Sequence, residues 1–221
     1  MANAVSLHLD QPKVPQVSGM GPAIAVLVSA WLALVLTLAA RGTFTTAPGA
    51  PPLGLLIGLV APLGLFLGSY WSSRTFREFV LSVDLRVIVA IQAWRWAGFG
   101  FLSLYAYKVL PGIFAVTAGI GDMAIGVTAP FVLAALIRNP DFASGGRFIT
   151  WNISGILDLV VAASIGAVVP LFAPNLFGSV TTAPMSRLPL LLVPTFLVPI
   201  FLILHLTALF QASRRSGGAM R

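Results

Sequence analysis

The chain has no cysteine among its 221 residues. That excludes disulfides, thiolate metal sites and a cysteine nucleophile, and it leaves the redox compartment open. Histidine occurs only as His8 and His205, so a bis-histidine haem or histidine-rich metal centre has almost no ligands to draw on. No cofactor, metal site or catalytic residue is assigned. Charge is also scarce: 9% of residues are Asp, Glu, Lys or Arg, and 58% are apolar, with a mean hydropathy of +0.97. Soluble domains run nearer half apolar and about a quarter charged. A water-soluble globule with so few charges would expose large sticky patches. Soluble enzymes, nucleic-acid binders and disordered tails are thereby excluded. No phosphate-binding glycine loop, HExxH, nucleotide fingerprint or paired-carboxylate lipid-phosphate motif is found.

What is present is a set of long apolar runs. A spanning helix needs about 20 mostly apolar residues, because the hydrocarbon core is about 30 Å thick and each residue rises about 1.5 Å. Six spans follow, at 21–40, 53–71, 85–108, 111–137, 148–170 and 187–211. The runs lack the polar/apolar alternation of a transmembrane strand. The fold class is therefore an all-α polytopic membrane protein, a six-transmembrane-helix bundle, and its partner is the lipid bilayer. Residues 1–20 read as a polar N-terminal segment, 21–211 as the single membrane domain and 212–221 as a basic C-terminal tail. The segment 73–82 mixes charge and aromatics and reads as a short interfacial stretch anchored by Tyr70 and Trp71. A cleaved secretory signal is not expected, since Lys13 lies far from the start and the first apolar run is too long for a signal-peptide core.

The net charge of +7 would suggest nucleic acid in a soluble protein. Here nearly all the cations flank hydrophobic runs. With six spans, Lys13, Arg74, Arg77, Arg86, Arg138, Arg147, Arg214, Arg215 and Arg221 share the side of both termini, against Arg41, Lys108 and Arg187 on the other. By the positive-inside rule both termini are cytoplasmic, in a cytoplasmic (inner) membrane of bacterial type. The tight Leu110-Pro111-Gly112 connection makes spans 3 and 4 neighbours, and spans 3, 4 and 5 are expected to form one unit.

The informative residues are those that a span should not contain. Arg95 lies in span 3, Asp122 in span 4 and Asp158 in span 5. Counted from the non-terminal ends of their helices, they lie at depths of roughly 19, 17 and 18 Å. A lone charge at the bilayer centre costs roughly 2.5–3.5 kcal/mol on insertion scales, so Arg95 is expected to contact at least one aspartate. One arginine and two aspartates leave a surplus negative charge, which must reach water, hold a proton or bind a cation. Gln92, Trp94 and Trp151 are the candidate neighbours. Asp122 is flanked by Ala115, Ala118, Gly119, Gly126 and Ala129 at helical spacing, a small-residue face suited to close helix contact. The patterns Gly119-Ile-Gly-Asp122 and Gly155-Ile-Leu-Asp158 look alike, but a three-plus-three duplication would relate span 4 to span 1, so they read as coincidence.

Span 6 carries Pro189, Pro194 and Pro199, each of which removes a backbone hydrogen bond and favours a kink. Span 2 has the spacings Gly54/Gly58 and Gly64/Gly68, suited to tight internal packing or to a dimer contact. Asn152-Ile-Ser154-Gly155 resembles the GxSG of rhomboid intramembrane proteases, which also have six spans and a histidine on the last, here His205. The resemblance implies a Ser154–His205 hydrolytic pair. The first Gly is replaced by Asn152, however, no HxxxN-type oxyanion donor is evident, and the site would open to the cytoplasm. Size and span count are also similar to the substrate-binding subunits of vitamin importers, an architectural analogy only. Three readings follow. The first is a carrier or transport subunit for a small solute or ion, proton-coupled through Asp122 and Asp158. The second is a non-catalytic structural or assembly subunit in which the cluster is a static lock; under each reading a homo-oligomer or a partner membrane subunit is open. The third is an intramembrane serine hydrolase.

Overall fold

The computed structural model describes residues 20–46, 50–172 and 179–218. The expected N-terminal segment up to residue 19 and Arg221 of the basic tail lie outside them. Among the described residues every regular element is helical, and six helices are long and apolar enough to cross a membrane. Span 1 is α1 (Met20–Ala40) and span 2 is α2 (Leu53–Ser72). A short amphipathic helix, α3 (Arg74–Ser82), follows where the interfacial stretch is expected. Ser73 caps it by accepting from Phe76 N–H at 3.2 Å, and Asp84 caps the next helix through Arg86 N–H at 2.8 Å. Tyr70 is not solely an interfacial anchor, because its ring stacks on Phe210 at 4.3 Å. Trp71 is exposed.

Span 3 is not one continuous α-helix. It comprises α4 (Leu85–Gln92), a tighter 3-10 segment over Ala93–Gly98, and α5 (Phe99–Ala106). The narrow segment lies where span 3 meets span 4, α6 (Gly112–Arg138). A Cβ at Gly98 would stand 2.5 Å from Asp122 Cβ, and one at Gly126 would stand 2.7 Å from the Arg95 carbonyl carbon. The two backbones are thus in direct contact on both sides of Asp122, as small residues at spaced positions allow.

Span 5 is α7 (Gly146–Ala163), continued by a π-helical turn over Ser164–Val168 and by α8 (Val169–Phe172). Span 6 begins with a second π turn, Val193–Leu197, and continues as α9 (Val198–Gly218). The expected start at 187 is too early, because residues 187–191 form a bend and turns and not a spanning helix. Pro189 and Pro194 both lack the N–H that a regular first turn would use. At the other end α9 runs on into the range expected to be a tail.

Two apolar clusters sandwich the middle of the bundle. One, on the side of the termini, gathers Leu85, Ile88, Val89, Leu136, Phe148 and Ala208. The other gathers Phe101, Leu110, Phe114, Ala118 and Met185. Large apolar side chains on the outer faces, such as Leu27, Leu65 and Phe131, are exposed, as expected of surfaces in contact with acyl chains. Gly54 and Gly58 answer one open question: they pack internally, against the Thr43–Phe44 turn and the side chain of Thr195, whereas Gly64 and Gly68 meet nothing within 4 Å.

Candidate functional site

Between the two apolar clusters lies a layer of polar groups centred on Arg95. Its side chain has 0% exposure, so every N–H must find an acceptor inside the protein. The 3-10 segment points the guanidinium into the crevice between spans 4, 5 and 6. Nε donates to Asp122 Oδ1 at 2.7 Å, and Nη2 donates to Asp158 Oδ2. Nη1 reaches the Gly155 carbonyl at 3.4 Å and His205 Nε2 at 3.1 Å. The Phe201 ring completes the enclosure, its centroid 5.8 Å from Cζ.

Because a guanidinium only donates, His205 accepts at Nε2, and its Nδ1 then donates to Asn152 Oδ1 at 2.9 Å. Asn152 Nδ2 donates in turn to the Phe148 carbonyl at 2.9 Å. The histidine and asparagine therefore form a directed chain that starts at Arg95 and ends on the Phe148 carbonyl. His205 and Asn152 are both fully buried. The Trp151 ring stands edge-on to His205 at 5.5 Å and is held by its own N–H to Thr128 Oγ1 at 2.9 Å.

Two glycines make room for this arrangement. A Cβ on Gly121 would collide with the Asp158 carboxylate, and one on Gly155 would collide with the His205 imidazole. The resemblance between the two Gly-containing stretches hides different jobs. Gly119 packs against Gly98 and Leu102, whereas Gly155 admits the imidazole.

Asp122, Asp158 and Arg95 are thus brought together as one group. Gln92 is buried one turn away, where Nε2 donates to the Phe201 carbonyl at 3.3 Å and Oε1 meets no partner among the described residues. Trp94 is 75% exposed and lines the mouth of a cavity of about 320 Å³ whose back wall includes Arg95 and Asp122. A smaller cavity of about 80 Å³, lined by Phe114, Ala162 and Thr182, also reaches Asp122. Each carboxylate engages Arg95 through one oxygen, and among the described residues no donor meets Asp122 Oδ2 or Asp158 Oδ1. The group carries one positive and two negative formal charges. No group of three or more His, Asp or Glu side chains among the described residues is arranged to hold a metal ion.

The rhomboid-like pair is not assembled. Ser154 is exposed, and the two nitrogens of His205 face Arg95 and Asn152, so neither is available to a serine hydroxyl. His205 and Asn152 are instead the members of the charged layer that depth counting overlooked.

A family model described as a domain of unknown function (DUF8737) matches residues 50–212. The chain belongs to this family. Nothing matches among curated proteins or solved structures. The DUF8737 stretch contains Arg95, Asp122, Asn152, Asp158 and His205, and α1 lies outside it.

Proposed function

We propose that this DUF8737 protein is a carrier or transport subunit that moves a small solute or ion across a cytoplasmic membrane, with both termini on the cytoplasmic side. The observation that carries the reading is a mid-span carboxylate, Asp122, that is paired to a sealed arginine on one oxygen and lines two cavities. Intramembrane ionisable groups facing a cavity are the usual elements of proton and ion pathways. In this reading Arg95 is the fixed counter-charge, and Asp122 and Asp158 exchange a proton or cation against it. Trp94 forms part of the entrance, while Trp151 and Gln92 hold the surrounding frame.

The test is proton flux into proteoliposomes loaded with a pH-sensitive dye, comparing native protein with Asp122→Asn and Asp158→Asn. Flux through the native protein that falls in both variants, with folding retained, supports the proposal. Equal flux in all three defeats it. A second reading, the static lock, is favoured by the enclosure of Arg95, whose donors meet four separate acceptors. It makes a different forecast: both variants lose folding, and the native protein passes no protons.

A further inference from the structure

The larger cavity has a chemistry of its own. It opens sideways between span 3 and the start of span 6, past Ile91, Trp94 and Ala97, all of them exposed. Its walls are Phe101, Leu197 and Ile200. Its volume of about 320 Å³ falls at the small end of ligand pockets, which run roughly 300–1,000 Å³. Among the described residues, the only charged ones on its lining are Arg95 and Asp122. Arg95 is already engaged by both carboxylates, the histidine and a carbonyl. Asp122 retains an oxygen without a donor. An entering anion would face that carboxylate and an arginine with little left to give. An entering cation would meet the surplus negative charge, with the Trp94 and Phe101 rings beside it.

Building on the transport reading, we infer that this lateral cavity takes a small protonated amine with an apolar or aromatic body, its ammonium set against Asp122 Oδ2. Entry is from the bilayer, which suits an amphiphilic cation better than a hydrated ion. Among the described residues, Asp122 is the only acidic residue lining either cavity. A cation bound there is therefore in reach of the smaller chamber, which is lined by Gly166, Thr182 and Met185 near the end of the bundle away from the termini.

The experiment uses the full chain in lipid nanodiscs with three probes of matched shape: 2-phenylethylamine, 2-phenylethanol and 3-phenylpropionate. Equilibrium dialysis and tryptophan fluorescence report binding. The amine is expected to bind saturably, about tenfold or more tighter than the other two, and the fluorescence change is expected to disappear in Trp94→Phe. Asp122→Asn removes the preference for the amine. Ala97→Trp, which fills the mouth and leaves every charged residue in place, abolishes binding and keeps the test decisive if Asp122→Asn does not fold. Equal binding of all three probes (the behaviour of a cleft that merely accepts acyl chains), tighter binding of the anion, or an unchanged affinity in Ala97→Trp overturns the inference. Asp-dependent proton flux without amine binding overturns it while sparing the transport reading. Amine binding without any flux supports the site and removes the carrier.

Discussion

Arg95 is the residue on which the layer depends, and its replacements should not be equivalent. Arg95→Ala leaves two facing carboxylates in a low-dielectric interior. Removing one partner of a buried pair costs about 3–5 kcal/mol, so a loss of that size is expected in detergent-unfolding titrations. Arg95→Lys should recover only part of it, because a single ammonium cannot span Asp122, Asp158, Gly155 and His205 as the guanidinium fork does. Replacing the whole group with apolar residues (Arg95→Met, Asp122→Leu and Asp158→Leu together) separates structure from function. Buried ion networks are often replaced without loss of stability, so this triple variant is expected to fold and to pass no protons. The aspartates and the arginine were legible in the sequence because equal depth in three adjacent helices is a matter of counting. His205 was not. Counted from 187 it falls deeper than the others, whereas counted from Val193, where span 6 begins, it lies roughly 18 Å down, level with Arg95. Asn152 has no charge, and its role depends on a histidine tautomer that sequence does not display.

At the scale of elements, the helix starts and ends near expectation for spans 1 and 2, where apolar runs are uninterrupted. It departs where the chain approaches another backbone or meets proline. Neither the 3-10 segment in span 3 nor the π turns have a periodicity signal, since each is imposed by its neighbours or by missing N–H groups. The glycines provide a paired test. Gly121→Ala and Gly155→Ala each push a methyl into a polar side chain already in place and are expected to destabilise by about 1–3 kcal/mol. Gly64→Ala, also within a spanning helix but with nothing within 4 Å, is expected to be neutral or to stabilise by up to about 1 kcal/mol through helix propensity. Thermal melts of the three variants check this contrast, and a comparable loss at Gly64 would reveal a covering partner on α2.

For the whole molecule, topology is open to a direct check because the chain has no cysteine of its own. In intact cells a membrane-impermeant maleimide is expected to label Lys108→Cys and to leave Arg138→Cys and Arg215→Cys untouched until the membrane is opened. The reverse pattern would invert the proposed orientation. α1 contributes mainly through Trp31 on Phe196, at 4.9 Å between ring centroids, and through Val35 beside Leu191. Trp31→Ala is accordingly expected to disturb the bundle less than Arg95→Ala in the same unfolding assay. The six-span plan could be read from composition and run length. The cavities could not, because their shape depends on how helix halves meet. The empty side of Gly121 also ties the history of two spans together. A descendant lineage that acquires a side chain at position 121 is expected to move or surrender the acid at 158, so across relatives these two sites should change in concert while the lipid-facing positions around them drift independently.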